Sequence, residues 1–228
     1  MLRRAVKLNY EYPNAFAGVK KIFTAEILSI ISAVALILAA LFGLTAAGAA
    51  ADGAANTAFA SLGGTAIFGL GAGVVAIIAF IMNIVGINAA SKDEPTFKKA
   101  LIVVFIGIVL SVVSSIFSSS NVAVSGIFST LSNGASVIVT IYVIMGIQAL
   151  AKNIGNQEMV KKGDTTKMLV ACAYAVGAVL SLISDIGQGS KGSTIVFVIL
   201  SVGSAVFSIV QYVVYLRYLS SAKVMLSQ

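Results

Sequence analysis

The chain has 228 residues, of which 59% are hydrophobic and only 10% charged, with a mean hydropathy of +1.03. Water-soluble domains run to about 45–50% apolar and about 25% charged residues, so an ordinary soluble fold is excluded. The formal charge is +7, with one cysteine (Cys172) and no histidine. An intrachain disulfide is therefore ruled out, and the commonest metal ligand and proton carrier is missing.

Residues 1–21 read as a cytoplasmic, interfacial N-terminal segment. Arg3, Arg4, Lys7, Glu11 and Lys20 leave no apolar stretch of the length a signal peptide needs. Leu2, Val6, Tyr10, Tyr12 and Phe16 suit the membrane interface, and Pro13 is expected to break any helix there. Residues 22–228 then form a single transmembrane domain. Crossing roughly 30 Å of hydrocarbon takes about 18–20 apolar residues as a helix. Six stretches qualify: 22–44, 66–90, 100–117, 127–151, 168–186 and 194–219. The Ala/Gly-rich connection 45–65, with its lone Asp52, is expected to be a mobile or partly helical outer loop. The alternation of a membrane β-barrel is missing.

Charge placement sets the orientation. Of the fifteen Lys and Arg, five precede the first span, three lie between spans two and three, four between spans four and five, and two (Arg217, Lys223) at the C-terminal end. Only Lys191 falls in a loop on the other side. The positive-inside rule places both termini in the cytoplasm. Anionic lipid accounts for this basic charge, so no nucleic-acid partner is expected. The unpaired cysteine and the lack of any Asn-x-Ser/Thr acceptor fit a multi-pass protein of a prokaryotic cytoplasmic membrane.

The spans repeat in pairs. Residues 106–116 match 176–186 at an offset of 70, with six of eleven positions identical, and 66–92 match 126–152 at an offset of 60. Ten additional residues in the 153–167 loop explain the change of offset. Lys20-Lys21 and Lys98-Lys99 mark the same place in successive copies. The reading is three tandem hairpins (about 22–92, 98–152 and 162–223), all inserted in the same direction, hence parallel repeats about an axis along the membrane normal. Three two-span repeats match the mitochondrial carriers in number. Their Pro-x-Asp/Glu-x-x-Lys/Arg motif is missing, the only prolines being Pro13 and Pro95, and the chain is not assigned to that family.

Few residues invite chemistry. Glu26 lies about 7 Å deeper than Lys21, and Arg217 about 9 Å deeper than Lys223, at the helical rise. An intramembrane ion pair between Glu26 and Arg217 is one reading, and separate snorkelling to the interface the other. The odd spans carry Ser29/Ser32, Ser111/Ser114 and Ser181/Ser184, each pair on one helix face. They either line a polar axis or act as small residues at helix contacts, and the second reading is preferred because their depths differ. Asp185 reads as a solvated carboxylate beside Lys191. Gly69-x-x-x-Gly73 fits close helix packing. Asn83, Asn88, Gln148 and Gln211 suit interhelical hydrogen bonds, and Tyr212, Tyr215 and Tyr218 an aromatic belt. No catalytic, cofactor or metal site is expected. The functional expectation is a non-catalytic membrane protein that binds or organises partners in the bilayer: lipid, another membrane protein, or copies of itself. The alternative is a small-solute transporter or channel with a Ser-lined axis.

Overall fold

The computed structural model describes residues 11–51, 55–186 and 193–227, with side chains described outside 48–61, 122–123, 180–202 and 204–205. These residues form an all-α fold of six helices: α1 (Pro13–Ala51), α2 (Ala55–Ala90), α3 (Thr96–Phe117), α4 (Val122–Asn153), α5 (Gln157–Ile186) and α6 (Ser193–Met225). All but α3 have 30 residues or more. At about 1.5 Å per residue such helices exceed about 45 Å, longer than the roughly 30 Å of a bilayer's hydrocarbon. Among the described residues, Pro13–Ala47, Leu62–Ala90, Thr96–Phe117 and Val124–Asn153 are long and apolar enough to cross a membrane. The fold is that of a polytopic helical membrane protein.

Two compact units make up the chain, Met1–Val19 with Ile87–Gln228, and Lys20–Gly86. In the smaller unit α1 and α2 lie against each other. Ser32 donates from Oγ to the carbonyl oxygen of Ala72 at 2.9 Å, and Phe42 stacks on Phe68 with ring centroids 5.5 Å apart. Beyond Ile22 and Ala25 near its start, the buried apolar side chains described here are Ala39, Ala46, Ala72 and Ala79, small enough to let the backbones approach. Gly69, Gly71 and Gly73 are not part of that contact. A Cβ built on any of them meets nothing within 4 Å, so among the described residues the expected Gly69-x-x-x-Gly73 seam does not form between α1 and α2.

In the larger unit α3 packs on α4, α4 on α5 and α5 on α6. Apart from Ala135, its buried side chains gather at the lysine-rich helix ends: Ala15 and Val19, Ile87 and Ala90, Phe97 and Ala100, and most within Val143 to Ala151, Met159 to Val170 and Tyr215 to Leu226. Beyond this head the large apolar side chains turn outward. They run through Ile102–Phe117 on α3, Ile127–Met145 on α4, Met168–Val179 on α5 and Val206–Val213 on α6. Outside the head the large apolar side chains turn mainly outward as lipid requires, and within it most face inward as water requires. Met145, Ile154, Met168 and Val224 are the exposed large apolar residues of the head's stretches, and Ala135 is buried outside it.

Helix ends explain where the elements differ from expectation. Pro13 starts α1 instead of breaking it, because at the first helical position its missing N–H is not needed and its fixed φ is already helical. Asp93, from the α2–α3 connection, caps that end: Oδ2 accepts from the Ala15 N–H at 2.7 Å and Oδ1 from Asn14 Nδ2 at 2.8 Å. Residues 157–167, expected as loop, are the first three turns of α5. Gly155 reverses the chain at φ +80°, the Asn156 N–H returns to the Ala151 carbonyl at 2.8 Å, and Asn156 Oδ1 accepts from the Met159 N–H at 3.0 Å. Met159, Gly163, Thr166 and Val170 then form a buried stripe at spacings of four, three and four. Charge marks the edge of the lipid here, and the helix continues past it.

Candidate functional site

A polar group of the head is centred on Gln148 of α4, which is buried. Its Nε2 donates to the Val160 carbonyl at 2.7 Å and to Asp164 Oδ1 at 3.0 Å, crossing to α5. Gly163 lies directly beneath, where a Cβ would stand 2.5 Å from Gln148 Cγ. Asp164 also accepts from Lys167 Nζ at 3.0 Å. The hydrogen bond from Gln148, then that from Lys167, holds the Asp164 carboxyl below its ordinary pKa. One turn earlier, Lys162 bonds Glu158 at 2.7 Å and lowers its pKa in the same way. On the other side of α4, the Phe97 ring sits over Gly146, where a Cβ would come within 2.6 Å of it. Tyr218 donates to the Ile144 carbonyl at 3.3 Å. Tyr215 and Tyr218, expected in an interfacial belt, are instead buried, because α6 continues into the head and packs this face there.

The serines of the sequence reading make local bonds. Ser29 donates to the Ala25 carbonyl of its own helix at 3.0 Å, while Ser32 crosses to α2. Ser111 is exposed, and its carbonyl accepts from Ser115. Ser114 and Ser125 bond reciprocally between α3 and α4: Ser114 Oγ to the Ser125 carbonyl at 2.9 Å, and Ser125 Oγ to the Ser114 carbonyl at 3.0 Å. Ser132 adds a bond to the Gly107 carbonyl at 3.1 Å. The side chains of Ser181, Ser184 and Asp185, and Lys191 itself, lie outside the described residues. Glu26, on α1, is half-buried and accepts from Asn83 Nδ2 of α2 at 3.5 Å, the long limit of a hydrogen bond. Arg217 is exposed on α6 in the other unit.

One polar surface was not singled out in the sequence. Ser129, Asn133, Ser136 and Thr140 recur at spacings of four, three and four along α4, and all but half-buried Thr140 are exposed. The pattern is visible in the residues, but it sits on an even-numbered span, and the serine pairs drew attention to the odd ones. No three His, Cys, Asp or Glu among the described residues gather as a metal-binding group. The class the fold and site define is a helical membrane-type protein whose described helices are joined by hydrogen bonds from Ser32, Ser114, Ser132, Gln148 and Tyr218. No protein-family model, curated protein or solved structure matches the chain.

Proposed function

We propose that the chain is a non-catalytic membrane protein of six crossings, built as three parallel hairpins with both termini in the cytoplasm, that binds or organises partners within the bilayer. The observation that carries this reading is the division of the larger unit into a packed, lysine-bearing head and a region of outward-facing apolar side chains. The head is a water-side platform, and its lysines suit the anionic inner face of a prokaryotic cytoplasmic membrane. The repeat gains support from Ala72 and Ser132, which correspond under the 60-residue offset. Each takes part in an interhelical hydrogen bond of its own hairpin, the Ala72 carbonyl accepting from Ser32 and Ser132 donating to the Gly107 carbonyl. Glu26–Arg217 pairing remains part of the proposal, as the one intramembrane charge contact the sequence suggests. Partners of the kind expected are another membrane protein or a second copy. Native mass measurement in lipid nanodiscs tests this: the reading predicts particles carrying more protein than one 23.4 kDa chain. Single chains with lipid alone would refute it.

The second reading is a small-solute path with a Ser-lined axis. Ser29, Ser32 and Ser114 donate their hydroxyl protons to carbonyls and keep their oxygens as acceptors, and the α4 stripe adds a second polar surface.

A further inference from the structure

We infer that α4 and α6, on the membrane side of the head, present a water-accessible groove that hydrogen-bonds a small uncharged polar solute. The inference rests on the membrane reading above and goes beyond it in assigning a ligand class. The sides of α4 are accounted for in turn. Ser125, Ser132 and Ala135 meet α3, and Thr130 and Gly134 meet Tyr174 of α5. Ile127, Leu131, Ile138 and Met145 are exposed and bulky, a surface for lipid. The remaining face bears Ser129, Asn133, Ser136 and Thr140. Continued toward the head, that face becomes Ile144, Ile147 and Ala151, all buried, with the Ile144 carbonyl bonded by Tyr218. The polar face therefore looks to the side on which α6 stands.

The facing surface of α6 changes in the same way. Ser208, Gln211, Tyr215, Tyr218 and Ala222 recur at spacings of three and four; the last three are buried, Gln211 is half-buried and Ser208 exposed. Both helices run toward the head. Counted back from the Ile144–Tyr218 contact at the helical rise, Asn133 and Ser208 stand at nearly one level, about 15 Å out, and Gln211 about 10 Å out. Among the described residues the amides of Asn133 and Gln211 have no hydrogen-bond partner. Ser136 and Thr140 donate to their own helix, at 3.3 and 3.2 Å, leaving their oxygens as acceptors. Polar side chains in a membrane span face a water-filled cavity or a hydrogen-bonding partner. Neither face carries a charge, so what it recognises is a neutral molecule with both donors and acceptors, such as an amide or a polyol.

Single cysteines in the full chain, with Cys172→Ser, test this in proteoliposomes using iodoacetamide, itself a small neutral amide, and iodoacetate, its anionic counterpart. Asn133→Cys, Ser136→Cys and Gln211→Cys should react with iodoacetamide at least ten times faster than Leu131→Cys and Ile138→Cys, whose thiols face lipid and do not ionise. Relative to Ser118→Cys in the exposed α3–α4 turn, iodoacetate should lag at Asn133→Cys by about tenfold. If Asn133→Cys and Ser136→Cys react as slowly as the lipid-facing controls, a partner helix or lipid covers this face and the groove is refuted. If Leu131→Cys and Ile138→Cys react as fast as Ser118→Cys, the membrane reading itself fails. An iodoacetate ratio equal to that of Ser118→Cys overturns the preference for neutral ligands.

Discussion

Gln148 shows how much one side chain can hold in place. Its two bonds to α5 and its position over Gly163 make Gln148, Val160, Gly163 and Asp164 a coupled set. Gly163→Ala should destabilise the solubilised protein by about 1–3 kcal/mol through overpacking. In a Gln148→Ala background the same change should cost close to nothing, which a double-mutant cycle of thermal unfolding reads directly. Asp164 adds a pH dependence. Its folded pKa is depressed below the ordinary 3.8, so the ionised form is the stabilising one. That contribution is complete above the ordinary value and is lost as the pH falls through the folded pKa. Removing the Gln148 hydrogen bond, the largest cause of the shift, should leave Gln148→Leu with a smaller loss of melting temperature on acidification below about pH 4. Glu26 supplies a third test: Glu26→Arg should lower folded yield, and adding Arg217→Glu should restore it, whereas no rescue would refute the pair. Gln148 and Asn83 were legible as interhelical donors because a buried amide must find a partner. Asn133 was not, because only burial and neighbours separate one open face of a helix from another.

At the scale of elements, termini control the fold of the head. Gly155 is the one described residue with positive φ, and its conformation costs an L-residue about 1–2 kcal/mol. Gly155→Ala should therefore lower the melting temperature and speed amide exchange across residues 157–167, while leaving α3 protected. If that segment exchanges no faster, Gly155 does not secure the start of α5. Asp93→Ala, which removes the cap on α1, should cost about 0.5–2 kcal/mol and free the amide of Ala15. The apolar cores of the helices were legible because an uncharged run long enough to cross lipid is rarely found in a chain that folds in water. Their ends were not. Glu158, Lys161, Lys162 and Lys167 are good helix formers, yet beside an apolar run they look like a loop. Pro13 likewise reads as a breaker until Asp93, some eighty residues away in sequence, is seen to cap the helix it begins.

At the scale of the whole molecule, the exposed apolar side chains and the buried head describe the same boundary from two sides. The lysines, read in sequence as orientation signals, lie on the helix ends whose apolar side chains pack inward. This follows from burial and could not be read from hydropathy, since Phe97, Ile147 and Leu219 are as apolar as the residues that face lipid. The central claim is that the chain crosses the bilayer six times with this head inside. Dual-reporter fusions along the chain measure it most directly. Junctions near residues 92, 155 and 228 should report the cytoplasm, and junctions near 52, 119 and 189 the opposite side. Two neighbouring junctions on one side, or the lysine-rich 92 and 155 positions reporting the outside, would contradict the account.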